Sequence, residues 1–212
     1  MALWRDMERP RRAILTPMSS SSNNIESFAG SPTVIVLASG RGERFVASGG
    51  SGSKLKALLL NKPVLDHTLE AVRASGLPWH LEDAGHAGMG DSIAAGVRST
   101  PNDVGWLILP ADLPLIQSST LVQVAQALRG GAAAAQPVHQ GQKGHPVGFG
   151  TASGPALAAL SGAQEAAPVL RALREAGRVV DVPVEDAGIL TDIDTLADLA
   201  RAQALLLNQL SS

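Results

Sequence analysis

Apolar positions along the chain fall into short unbroken runs separated by longer amphipathic stretches, the first run being Thr33-Val34-Ile35-Val36-Leu37-Ala38. A β-branched run of strand length with no polar face predicts a strand buried on both sides, as in a parallel sheet. Trp106-Leu107-Ile108-Leu109 predicts a second. Between them, Pro63 to Ala74 reads as a helix, with proline at its first turn, Leu65, Leu69 and Val72 on one face, and Gly76 beyond its end. A weaker strand is expected around Trp79 to Leu81, then a helix carrying Ile93 and Val97 and capped by Asp91 or Ser92. Ser118 is expected to cap a helix whose buried face is Leu121, Val124, Ala125 and Leu128 and which Gly130 closes. Strand-like runs at 133–138 and 145–149, helices near 155–160 and 168–176, a short strand at 178–182 and a final helix from Thr195 into Leu207 complete the pattern. Strands alternating with helices imply an α/β fold: a Rossmann-like, doubly wound, mostly parallel sheet with right-handed crossovers.

Residues 1–31 break the pattern. Arg5, Arg9, Arg11 and Arg12 give way to Ser19–Ser22, Asn23 and Asn24 with no sustained apolar period. The stretch Ala13-Ile14-Leu15 is too short for a secretory h-region, and Asp6 and Glu8 argue against an Arg-rich transit peptide. Residues 1–31 are therefore expected to form a disordered extension, and residues 32–212 a single domain.

Composition narrows the function classes. With 17 Lys+Arg against 19 Asp+Glu, the net charge of −2 supplies no basic field for nucleic acid or a membrane surface. Aromatic residues at 3% and the lack of tyrosine argue against base-stacking surfaces. No uncharged apolar run approaches the ~18 residues of a membrane span. The absence of cysteine excludes disulfides, thiolate metal sites and a thiol nucleophile, and it fits a reducing, cytoplasmic setting.

In doubly wound sheets, ligands bind beyond the carboxyl ends of the strands. Ser39-Gly40-Arg41-Gly42-Glu43-Arg44-Phe45 follows the first buried run, and Pro110-Ala111-Asp112-Leu113-Pro114 the second. The first segment lacks the third glycine of a dinucleotide fingerprint. Gly49-Gly50-Ser51-Gly52-Ser53-Lys54-Leu55 lacks the Walker Gly-Lys-Ser/Thr ending. What remains is a glycine-bearing loop with backbone N–H groups and two cations, Arg44 and Lys54, suited to a polyphosphate. A solvated surface loop would have the same composition. Lys56 and Lys62 read as solvated charges, and the histidines at 67, 80, 86 and 139 lack a metal-ligand spacing.

Leu37 to Phe45, Lys54 and Pro63-Val64-Leu65 resemble the opening signature of the nucleotidyltransferases that build molybdenum cofactor dinucleotides, the molybdopterin cytidylyltransferases and guanylyltransferases (MobA/MocA-like NTP transferases). Gly88-Met89-Gly90-Asp91-Ser92, Leu109 to Pro114, Gly144-His145-Pro146-Val147 and Asp192-Ile193-Asp194-Thr195 continue the likeness in the family's order, over roughly 33–203. The resemblance implies a transfer of CMP (or GMP) from CTP (or GTP) to molybdopterin with release of pyrophosphate, Mg²⁺ as cofactor, and a recipient molybdoenzyme as a further partner. It places the nucleotide on Leu37, Ala38, Ser39, Gly40, Gly42, Arg44, Lys54 and Ser92, with Arg44, Lys54 and Asp112 catalytic. It assigns the metal to Asp112 and Asp194 and the acceptor to His145 and Pro146. Asp112 could equally open a turn, Ser92 cap a helix and His145 pack in a strand. Thr195 to Asp198 fits a capping box, which leaves Asp194 free, while Asp192 in an extended segment would point the other way.

Two departures stand out. Only about a dozen residues separate Ala74 from Gly88, where the family usually places a strand, a helix and a further strand; Glu82 and Asp83 lie in this shortened stretch. Ser39 also stands where the two branches carry other residues, although 88–92 and 144–147 resemble the cytidylyl branch more. Other readings keep the fold with a sugar phosphate or another phosphometabolite as acceptor, or make the chain a non-catalytic nucleotide-binding accessory protein.

Overall fold

A computed structural model describes residues 30–40 and 42–210; most of the expected extension, residues 1–29, lies outside the described residues. The strands are β1 (Thr33–Leu37), β2 (Leu58–Leu59), β3 (Lys62–Pro63), β4 (Trp79–Glu82), β5 (Gly105–Pro110), β6 (Ala134–His139), β7 (Gln142–Lys143), β8 (Val147–Gly150) and β9 (Val179–Pro183). The helices are α1 (Glu43–Ala47), α2 (Val64–Ala74), α3 (Met89–Ser99), α4 (Ser118–Arg129), α5 (Gly154–Ala158), α6 (Ala167–Glu175) and α7 (Leu196–Leu210). One sheet runs β4-β1-β5-β8-β6-β7, and β9 also pairs with β6. The pairs β1–β4, β1–β5 and β6–β9 are parallel. Only β8, antiparallel to both β5 and β6, and the short β7 run against this direction. The expected mostly parallel, doubly wound sheet is therefore the fold observed.

Period-two alternation within the apolar runs divides the interior in two. Val34, Val36, Leu107 and Leu109 face one core with Leu69, Val72, Leu121, Val124 and Ala202, from α2, α4 and α7. Ile35, Leu37, Trp106 and Ile108 face the other with Ile93, Val97 and Leu157, from α3 and α5, while Val169 and Leu170 of α6 pack against it. A strand covered on both faces has no polar side, which is why these runs were continuous.

Two expected caps are displaced. Helix α3 begins at Met89 with Gly88 as its N-cap, so Asp91 and Ser92 lie inside its first turn. The Ser92 hydroxyl there donates back to the Gly88 carbonyl at 3.2 Å. Ser118 is the first residue of α4 rather than its cap. The buried Asp186 carboxylate serves that helix end from 69 residues away in sequence, accepting from Gln117 N–H (3.0 Å) and the Thr120 hydroxyl (2.6 Å). Its other oxygen accepts from Gly188 N–H at 2.8 Å. A cap supplied by a distant chain segment leaves no local mark.

Asp186 thereby anchors the segment that returns over the sheet. Ile193 N–H donates to the Asp112 carbonyl (3.0 Å), and His145 N–H to the Ile189 carbonyl (3.1 Å). Two glycines permit the approach. A Cβ on Gly188 would lie 2.1 Å from the Leu115 carbonyl oxygen, and one on Gly144 would lie 2.4 Å from that of Ile189. Asp186→Ala should leave three donors without this acceptor, those of Thr120 and Gly188 at buried residues, and cost about 2–4 kcal/mol of stability. In urea unfolding this should lower the midpoint with little change in slope.

Candidate active site

Strands β4, β1 and β5 are parallel neighbours, so their carboxyl ends open on one edge and deliver three loops to it. A cavity of about 320 Å³ lies there, lined by Leu37 at the end of β1 with Ser39 and Gly40 beyond it, by His86 to Met89 after β4, and by Pro110 at the end of β5 with Ala111 and Asp112 beyond it, together with Lys54 and Ser92. Gly88, Met89 and Ser92 bring the N-terminal turn of α3 to this wall, an electropositive helix end suited to an anion. The Ser53 hydroxyl accepts from Leu55 N–H at 3.3 Å, starting the tight turn Lys54–Lys56 that buries Leu55 and turns Lys54 inward.

Lys54 lies at the centre of the charge arrangement. Its ammonium is 2.5 Å from an Asp112 carboxylate oxygen and 2.7 Å from one of Asp194, and all three side chains are less than a fifth exposed. Burial disfavours the ammonium, but the two carboxylates outweigh it and hold the Lys54 pKa above its ordinary 10.5. The stabilisation from this charge is complete below that ordinary value and lost only as pH rises through the raised one. Arg44, largely exposed, reaches the other Asp194 oxygen at 2.7 Å. Asp198 accepts from Thr195 N–H at 2.9 Å and returns its own N–H to the Thr195 hydroxyl at 3.2 Å. The expected capping box thus closes, and the Asp194 carboxylate stays with the two cations.

Asp192 corrects an expectation. Residues 191–194 are not a regular strand, and Asp192 lines a cavity of about 370 Å³ together with Arg44, Lys54, Asp112, His145 and Asp194. Burial and the nearby Asp194 and Asp112 carboxylates raise its pKa. The residue expected to point away is a third carboxylate of the same cluster.

His145 stands between this cluster and a second, largely apolar cavity of about 210 Å³, bounded by Leu37, Ile93, Val147, Phe149 and Leu170, with Gln136 and Glu165 as its other polar side chains. Burial lowers the His145 pKa, so the ring is neutral at pH 7. Its Nδ1 is buried with no partner among the described residues. Pro146 is buried and lines none of the three cavities. Ala38 packs against the core beneath the loop, Gly42 is the N-cap of α1, and Arg41 lies outside the described residues.

The donor set fits a divalent cation at the carboxylates. Asp112 Oδ1 is buried with no hydrogen-bond partner among the described residues, and Asp194 is its neighbour across the Lys54 ammonium. Two carboxylates with open coordination positions suit an ion shared with phosphates rather than caged by protein. Among the described residues, no cluster of three or more His, Cys, Asp or Glu could hold a metal by itself.

The model of the MobA-like NTP transferase domain matches residues 34–179, and the chain belongs to that family. Among solved structures it resembles a nucleotidyl transferase from Methanothermobacter thermautotroptrophicus (20% identity, TM-score 0.69, 84% of this chain and 99% of that one). It also resembles a manganese complex of Rv0371C from Mycobacterium tuberculosis (20%, 0.62, 83% and 99%). A third is molybdopterin-guanine dinucleotide biosynthesis protein A from Archaeoglobus fulgidus (18%, 0.55, 83% and 99%). Identities this low carry the fold; the family match makes the domain that of a nucleotidyltransferase. No curated protein matches the chain. Among the described residues, no helix is long and apolar enough to cross a membrane.

The two neighbouring lysines separate in this geometry, since Lys56 is exposed and outside the cavity that Lys54 lines. Lys54→Ala should reduce turnover by about 10²–10³, the usual cost of losing one group aimed at developing charge. Lys56→Ala should stay within about twofold in the same steady-state assay. Reversed effects would contradict the placement of Lys54.

Proposed function

We propose that the chain transfers CMP from CTP, or GMP from GTP, to molybdopterin and releases pyrophosphate. The observation that carries this reading is the Lys54 ammonium held between Asp112 and Asp194 at the edge of the 320 Å³ cavity. In the reaction, an oxygen of the acceptor phosphate forms a bond to the α-phosphorus while the bond from that phosphorus to the oxygen bridging to the β-phosphorus breaks. The attacking oxygen is already anionic, so no side chain has to remove a proton. Positioning and charge neutralisation then supply most of the rate.

Leu37, Ser39 and Gly40 would form the floor under the nucleoside, and the start of α3, with Ser92 in its first turn, would face the phosphates. Lys54 would neutralise charge at the reacting phosphates, and Arg44 would approach from the side of Asp194. Asp112 and Asp194 would hold Mg²⁺. When bound, the ion neutralises the triphosphate and acts as a Lewis acid at its oxygens. On the other side of His145, the apolar cavity with Glu165 and Gln136 would accept the ring portion of the acceptor, with the neutral His145 between ring and phosphate sides. The carboxylate-flanked Lys54 favours an enzyme over an accessory protein, because binding alone does not require a cation and two acids at one point.

Pyrophosphate release should be measured with purified protein, Mg²⁺ and each triphosphate, with molybdopterin, with sugar phosphates and with no acceptor. Release is expected with CTP (GTP second) and only when molybdopterin is present. Release driven by a sugar phosphate would replace the acceptor, and binding of triphosphate without any release would favour the accessory protein.

A further inference from the structure

The shortened segment 75–88 carries a polar cluster that the reaction above does not use. Glu82, the last residue of β4, is buried, and its carboxylate accepts from Ala84 N–H (3.2 Å) and meets His86 Nε2 (3.0 Å) with one oxygen. The other oxygen lies 3.4 Å from His80 Nε2. The Glu82 carbonyl also accepts from Ala38 N–H (2.9 Å) and the Ser39 hydroxyl (3.3 Å). One residue thus ties the loop after β4 to the loop after β1. Of the two histidines, His86 lines the 320 Å³ cavity and His80 does not.

The sheet order sets the distance between this cluster and the charged centre. Asp112 follows β5 and Glu82 ends β4, with β1 between them. Two strand spacings, on the order of 10 Å, therefore separate the two ends of the cavity. A nucleotide whose α-phosphate sits at Lys54 and Asp112 would extend its sugar across the loop after β1, which brings its base toward the loop after β4. We infer that His86, positioned by Glu82, contacts the nucleobase and selects a base carrying an exocyclic amino group. This rests on the reading of the cavity as the nucleotide site.

The hydrogen-bond chemistry gives the direction of selection. Burial raises the Glu82 pKa, but the Ala84 N–H and the two imidazoles outweigh it, leaving the pKa below its ordinary value, so the group is an ionised, acceptor-only carboxylate. In the tautomer that donates Nε2–H to the Glu82 carboxylate, His86 Nδ1 is left as an acceptor. A fixed acceptor pairs with the amino group of cytosine and opposes the carbonyl that uracil carries at the same position. A missing hydrogen bond against a fixed, oriented group discriminates strongly between such isosteres.

The test is calorimetric titration of the full chain with CTP and with UTP in the presence of Mg²⁺, so that no acceptor is needed. Wild type is expected to bind CTP at least tenfold more tightly than UTP. His86→Leu should weaken CTP about tenfold and bring the CTP-to-UTP ratio near one. His86→Asn, whose amide oxygen can stand where Nδ1 stood, should retain most of the ratio. Glu82→Gln should lower the ratio while the melting temperature and circular dichroism confirm a folded chain, and His80→Leu should leave the ratio unchanged. An unchanged ratio in His86→Leu, or equal binding of CTP and UTP by wild type, would overturn the role of His86 alone. No triphosphate binding by wild type would overturn the nucleotide site itself, and this inference with it.

Discussion

The geometry of the crevice depends on one contact, the Lys54 ammonium held between the carboxylates of Asp112 and Asp194. The three residues come from the glycine loop, from the end of β5 and from the start of the last helix, so they meet only when the whole domain has closed. Two carboxylates brought this close repel, and without a cation between them one would be driven to take up a proton. The lysine removes that cost. A divalent ion with a triphosphate would shift this balance, because the ion would share the two carboxylates with the ammonium while the phosphates would offer it further acceptors.

Rigid supports keep the cluster in place. The Ile193 N–H to Asp112 carbonyl bond joins the segments that carry the two acids, and the Asp186 carboxylate pins the start of the same returning segment to α4. The two apolar cores hold β1 and β5 between layers of helices, so the loops beyond them leave a fixed edge. Catalysis by positioning requires such a frame, since misplacing the reacting groups by about 1 Å can cost around a hundredfold in rate. The shortened stretch after β4 is compatible with it. Glu82 organises the few residues there through its own side chain and main chain, where a longer insertion would do so through added elements.

Much of the fold was legible in the residues. Runs such as Val34–Leu37 and Trp106–Leu109 have strand length and no polar side, as a strand buried on both faces requires, and the parallel sheet follows from them. Lys54, Asp112 and Asp194 stand out in the sequence because each lies close to a regular element in a known order of motifs, and the fold brings the three side chains together. Three features were not legible. Asp186 caps α4 across 69 residues, and nothing near Ser118 signals an acceptor that remote. Asp192 joins the carboxylate cluster because its segment is irregular, whereas alternation assumes a strand. His86 has no metal-ligand spacing in the sequence, and only the pairing of β4 beside β1 brings it to the cavity.

A catalytic centre at Asp112 and Asp194 can be tested by counting bound metal. Electron paramagnetic resonance of Mn²⁺, standing in for Mg²⁺, should be recorded during titration into wild type and Asp112→Asn, each with saturating CTP. A centre built on these carboxylates requires one tightly bound Mn²⁺ per chain in the wild type. In a folded Asp112→Asn chain that still binds CTP, the affinity for the ion should fall by at least tenfold. Equal Mn²⁺ binding by the two proteins would contradict a metal site at Asp112, and with it the chemistry assigned to the crevice.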